Sequence, residues 1–436
     1  MSRLFFIAAV LAAPALADPI LLDPAGFAYH SPAEVKLGQL LFYDPILSGG
    51  RSVSCASCHH PRFGTGDGMA LGLGDGGIGL GPERHVDPNN MPEQRVPRNA
   101  TALFNLGHRD VTVMFADGRI EVDPSRPSGL RTPIEDDMVA GFASLLSAQT
   151  MFPVLSPDEM AGHYQESDVS QSVRQGRLTG EGGAWNIIAD RVAAIPGYAE
   201  QFAEVYPEIA AGRDVAFTDI SNAIAAFVAV EWRADDTLYD RYLRGTAELP
   251  ALAHEGMELF FGPAGCSSCH SGPLLSDQAF YAMGAPQLGP GKAERFEGHQ
   301  RDLGRMRVTG RAEDAYAFRT PMLRNVTRTG PWGHAGSHDD LRAFLRDHAD
   351  PVAASERPLP EVKLTPLEGA AEDWAIWSNP AERAEILAAV RHEVRPLSER
   401  ELDALMAFLA ALEDETALYG RLGIPEAVPS GLPVER

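Results

Sequence analysis

Apolar positions along this chain recur at helical rather than strand spacing. Val35, Leu37, Leu40 and Leu41 share one face of a helix that Ser31 caps and Pro32 begins. That helix ends near Asp44-Pro45. Helical period returns over 138–150, 185–194 and 220–232, and the last stretch sets Ile220, Ala223, Ile224, Phe227 and Val230 on one side. Two further helices are predicted over 341–348 and 398–412, the second with Ser398 as cap and Glu401 completing a capping box. Residues 61–97 are rich in Gly, Pro and Asp, 117–137 in Pro and charge, and 271–317 again lack a period. No alternating apolar run is long enough for a substantial sheet. The pattern predicts a mainly α protein with long loops.

The pattern also repeats. Leu40-Leu41-Phe42-Tyr43-Asp44-Pro45 reads against Glu258-Leu259-Phe260-Phe261-Gly262-Pro263. A related pentapeptide follows each: Cys55-Ala56-Ser57-Cys58-His59, then Cys266-Ser267-Ser268-Cys269-His270. Thiols one short helical turn apart match the two vinyl groups of a haem, and the next imidazole is delivered beneath the iron. Zinc would want two more ligands in each cluster. Two covalent c-type haems are therefore expected, on Cys55 and Cys58 and on Cys266 and Cys269, with His59 and His270 as iron ligands. This predicts two cytochrome c-like haem domains, 18–215 and 216–436, with the crossing over 232–250.

Composition narrows the setting. Residues 1–17 read as an export signal, with Arg3, an apolar core from Leu4 to Ala13, and Ala15-Leu16-Ala17 as cleavage site. The apolar core is too short to cross a bilayer, and no later stretch qualifies. A soluble, exported protein of the periplasm is expected. All four cysteines lie in the haem motifs, which leaves none for a disulfide. A net charge of −23 argues against nucleic acid and against anionic membranes. It also suits a basic electron donor.

The ordered set of motifs resembles the bacterial di-haem cytochrome c peroxidases and the related MauG enzymes. Its pieces are the two haem motifs, Arg98-Asn99, Asp117-Gly118-Arg119, Gln149 with Pro153 and Glu159-Met160, Asp302-Leu303-Gly304-Arg305, and Leu323-Arg324-Asn325-Val326 with Pro331, His334 and Gly336. The resemblance implies that the N-terminal haem meets peroxide and the C-terminal haem relays electrons. It implies that Gln149, Pro153 and Glu159 form the distal pocket of the first haem. It also implies calcium between the domains, on Asn99 and the carbonyls of Thr329 and Pro331, since hard oxygen ligands suit that ion. His348 falls where the family places the sixth ligand of the second haem, Met in the peroxidases and Tyr in the MauG enzymes. Met306 and Met322 are its rivals.

Two departures stand out. The family usually carries Trp before Asp-Gly-Arg, between the haems, and here that residue is Ala116, followed by the 117–137 insertion. The peroxidases often carry a His in the loop that here reads Gly72-Leu73-Gly74-Asp75, so the first haem is expected to be open at rest. His85 is another possible ligand there, and His334 a partner for a haem propionate.

Glu159 could move a proton across bound peroxide, or simply complete a capping box begun by Ser156. Gln149 could bond peroxide or be an ordinary polar helix residue. The leading expectation is reduction of hydrogen peroxide with electrons from a small cytochrome or cupredoxin. MauG-like oxidation of a protein substrate and plain electron transfer are the alternatives, and a homodimer is possible.

Overall fold

The computed structural model describes residues 18–436, apart from 164, 294–296, 359, 369–371 and 393–394. The export-signal reading of 1–17 lies outside these residues. The protein is mainly α. Helix α1 (Pro32–Phe42) begins where Ser31 Oγ accepts the Glu34 N–H, and leads into the short α2 (Cys55–Cys58). There follow α3 (Leu145–Thr150), α4 (Ala184–Ala193) and α5 (Phe217–Glu231). Then come α6 (Leu238–Leu243), α7 (Ala251–Phe261), α8 (Leu341–Ala349) and α9 (Glu399–Ala410). Ser398 and Glu401 form the predicted capping box of α9.

The helix that precedes each haem motif crosses a later helix at a glycine. A Cβ on Gly38 of α1 would collide with the Ala223 carbonyl and the Phe227 side chain of α5. A Cβ on Gly256 of α7 would collide with the Ala404 carbonyl and the Phe408 side chain of α9. Glycine is required at both points because the backbones themselves touch. The crossings seed two apolar cores. The first joins Leu37, Leu41, Phe42, Trp185, Phe202, Phe227 and Trp232. The second joins Tyr239, Phe260, Leu323, Leu341 and Phe408.

Along the chain the first core runs through α5 to Ala234 and the second begins at Tyr239, because α5 gives its apolar face to α1, while Leu274 also joins the first core. The end of the described chain also returns to the first core through Ala417 and Val428, and Gln39 Nε2 donates to the Gly423 carbonyl (2.6 Å).

Two local expectations change. Residues 138–144 are not helical: Gly141 takes φ +113°, and Ser144 starts the helix only at Leu145. Met138, Val139 and Phe142 still pack on the first core, which explains their periodic look. The 117–137 segment contains β-structure as well as loop. Strands at Val113–Met114, Ile120–Val122 and Leu130–Arg131 make a small antiparallel ribbon. A second antiparallel pair, Phe280–Tyr281 with Phe318–Arg319, lies after the second haem motif.

Candidate active site

Each haem motif ends on a histidine fixed in the same way. His59 Nδ1 donates to the Thr65 carbonyl (3.0 Å), and His270 Nδ1 to the Leu275 carbonyl (3.1 Å). A carbonyl only accepts, so the proton sits on Nδ1 and Nε2 keeps its lone pair for a metal. Thr65 and Leu275 both hold positive φ, +65° and +53°, a conformation rare for residues with branched side chains. The strained backbone aims a carbonyl at the ligand in both units. The four cysteines are partly buried and free of disulfides. Each pair lies directly before an imidazole oriented by a backbone carbonyl, and this donor set fits covalent haem.

Gln149, Pro153 and Glu159 lie on one continuous segment, α3 followed by tight turns at Pro153–Leu155 and Pro157–Ala161. Trp185 Nε1 donates to the Met151 carbonyl (2.8 Å) and ties that segment to α4. The Asp158 carbonyl accepts the Asp75 N–H (3.3 Å), which lays the loop after the first haem motif along the same turn. Burial pushes the Cys58 thiol up to about 12, and Glu159 is among the charges acting on it. Glu159 thus lies within electrostatic reach of the first haem motif.

The capping-box reading of Ser156 fails. Its side chain makes no capping bond, while its carbonyl accepts the N–H of Glu159 (3.2 Å), Met160 (3.0 Å) and Ala161 (2.9 Å). This is a π-turn, a form that recurs at functional sites. Burial pushes the Glu159 carboxyl up, against Lys292 and Arg119, which pull it down, and with Asp158, which adds to the rise. His85 is exposed and bonded locally to the Glu83 carbonyl (3.2 Å).

His348 sits on α8, where Phe344 one turn earlier stacks on its ring (centroids 5.5 Å, 21°). The adjacent Asp347 is anchored by accepting from His338 Nε2 (3.0 Å). Burial, and then His270, push His348 down to about 4. It is neutral at pH 7 and lies within electrostatic reach of His270. Met322 packs on the first core.

The seam between the units pairs an apolar patch, Ala70 and Leu71 against Leu288 and Ala335, with a polar network. Asn99 Nδ2 donates to the Pro331 carbonyl (2.6 Å), and the Asn99 N–H to the His334 carbonyl (2.9 Å). Gly64 of the first haem loop abuts Arg328 and Thr329. Arg98 grips Asp302 with Nε (2.7 Å) and Nη2 (2.8 Å) and meets Asp117 through Nη1 (2.7 Å). Burial would raise the Asp302 carboxyl, but Arg98 overrides it and holds the group well below the usual range. His334 stacks on Phe318 (3.9 Å, 15°), and among the described residues neither of its ring nitrogens has a hydrogen-bond partner.

Sequence reasoning missed Thr65 and Leu275. Their work is done by backbone carbonyls, which no residue type announces.

The comparisons fit this arrangement. The family of di-haem cytochrome c peroxidases matches residues 32–248. The chain is 30% identical to the cytochrome-c peroxidase IdrP1 of Denitromonas iodatirespirans, over 77% of this chain and 78% of that one. It is 27% identical to the methylamine utilization protein MauG of Methylorubrum extorquens, over 89% of this chain and 80% of that one. The crystal structure of a MauG-like protein associated with microbial copper homeostasis shares the fold, with TM-score 0.57 and 24% identity, covering 94% of this chain and 97% of that one.

Proposed function

The chain belongs to the di-haem cytochrome c peroxidase family and is a haem peroxidase, and from that premise we propose that it reduces hydrogen peroxide at a haem on His59, with electrons relayed through a haem on His270. The supporting observation is Glu159, held on a π-turn within electrostatic reach of the first haem motif. Haem iron, when bound, would supply the redox chemistry that reduces peroxide. Glu159 takes a proton from one peroxide oxygen and returns it to the departing one. Gln149 orients the bound molecule by hydrogen bonding, and Pro153 shapes the wall beside it. His348 would serve with His270 as a ligand holding the second haem iron. Cys55, Cys58, Cys266 and Cys269 carry the covalent bonds. The two haem units correspond to the two apolar cores, dividing near residue 235.

Calcium between the units is part of the same reading, on Asn99, Thr329 and Pro331. Turning the Asn99 amide would place its oxygen beside the Pro331 carbonyl that it now bonds. His334, with two unsatisfied nitrogens, would bond a haem propionate. Among the described residues no helix is long and apolar enough to cross a membrane. We place the protein in the periplasm on its N-terminal sequence.

A second reading, peroxide-driven oxidation of a protein substrate, is favoured by one observation. Ala116 stands where the family usually has Trp, which weakens the ordinary relay between haems. Steady-state turnover of peroxide with a reduced small cytochrome or cupredoxin tests the first reading. No turnover with any such donor, together with peroxide-dependent oxidation of a partner protein, would favour the second.

A further inference from the structure

Arg319 carries a buried positive charge with no carboxylate beside it. Its Nε donates to the Phe115 carbonyl (3.3 Å), its Nη1 to the Thr320 carbonyl (3.4 Å), and its backbone N–H to the Ala116 carbonyl (2.8 Å). Among the described residues it makes no ion pair, and burial alone pushes its pKa down to about 10. The other arginines of this seam are all matched. Arg98 has Asp117 and Asp302, Arg119 has Asp117, and Arg305 has Glu121. A guanidinium cannot shed its proton in a protein, so burial does not remove the charge. Buried charges are retained where a counter-charge meets them.

The location narrows what that counter-charge is. Thr320, the next residue, accepts Ser276 Oγ through its carbonyl (2.7 Å), and Ser276 follows the Leu275 that orients His270. The guanidinium itself turns toward Phe115 of the first unit. Phe318, the preceding residue, stacks on His334, whose ring nitrogens are both buried and unpartnered. A cation and an imidazole short of partners thus flank one short strand between the two haem motifs. A c-type haem brings two propionates, and these are the carboxylates that the thioether bonds leave free.

We propose that Arg319 receives a haem propionate carboxylate at the seam between the two haem motifs. One edge of the guanidinium stays on the Phe115 and Thr320 carbonyls while Nη2 takes the carboxylate, a charge-assisted bond of the strong kind. The inference rests on the reading that both motifs carry haem. Either haem could supply the propionate, and the test separates them.

The test uses R319L and R319K with haem per chain counted first, and the midpoint potential of each haem followed separately by spectroelectrochemistry. In R319L, one haem should shift to lower potential, because an unbalanced propionate stabilises the ferric state. R319K keeps the charge and should stay near wild type. The haem that moves identifies the source of the carboxylate. No shift in either haem of a fully loaded R319L, or an equal shift in R319K, overturns the proposal while leaving the haem reading intact. Fewer than two haems in the wild-type protein would instead overturn the haem reading. Should R319L fail to load, R319Q decides by the same measurement: it keeps hydrogen bonding but drops the charge, so one haem should again shift to lower potential, and no shift in either haem of a fully loaded R319Q overturns the proposal.

Discussion

Gly256 lies so close to the carbonyl of Ala404 that no side chain fits between them, and Gly38 meets Ala223 in the same way. Each contact lets two helices cross at backbone distance directly before a haem motif. The spacing of α7 from α9 therefore sets where Cys266 and His270 stand.

Gly256→Ala should force α7 and α9 apart. The obstruction is backbone, which cannot swing aside as a side chain would. Overpacking of this kind costs ~1–3 kcal/mol. Thermal unfolding should show a lower Tm, and the absorption of the second haem should broaden while the first stays sharp. An unaltered Tm would mean that the crossing can relax without cost.

Much of this was legible in the sequence. The Ser31 cap, the repeated haem motifs and the capping box of Ser398 with Glu401 rest on short-range chemistry, and local sequence carries that. The crossing glycines were not read, since a glycine in a helix states no partner. The 138–144 segment misled because Met138, Val139 and Phe142 face the core without a helix to space them. The joining of Asn99 to Pro331 came from the family resemblance, because local sequence does not report contacts between distant segments. The bonding of Ser156 and Glu159 could not be told from a capping box, since both begin with the same residues.

Asn99 is expected to hold calcium together with the Thr329 and Pro331 carbonyls. In the described structure its amide NH₂ bonds the Pro331 carbonyl directly. Asn99→Leu would remove both the bond and the oxygen ligand. The variant should lose bound calcium by elemental analysis, and the electron paramagnetic resonance signals of the haems should change as the seam loosens. A chelator should reproduce this in the wild-type protein. Full removal of calcium with unchanged haem spectra and activity would sink the idea.

His348 should be the sixth ligand of the haem on His270. Its imidazole is neutral at pH 7, with a pKa pushed down to about 4, and Phe344 fixes its ring. His348→Ala should convert one low-spin ferric signal into a high-spin one. His348→Met should raise the potential of that haem, since Met ligation favours the reduced state. A low-spin signal that survives in His348→Ala would assign the ligand elsewhere.

Glu159 should act as the proton-transfer group for peroxide, and pH gives the sharpest test. The group must be ionised to accept the first proton. Burial raises its pKa above the ordinary carboxylate value, despite the opposing pull of Lys292 and Arg119. The base form is present above that raised pKa and is lost as pH falls through it. The rate of reaction with peroxide should therefore decline on acidification, with its inflection above the ordinary carboxylate range. Glu159→Gln keeps the size and hydrogen-bonding shape but cannot take the proton. Its rate should fall by ~10²–10⁴-fold, the usual worth of a general acid-base group. The residual rate should lose the acid inflection, while resting haem spectra stay close to wild type because Glu159 is no ligand. Stopped-flow mixing with hydrogen peroxide across the pH range measures both effects. A variant that reacts at the wild-type rate, or one that keeps the same inflection, would show that the proton moves by another route.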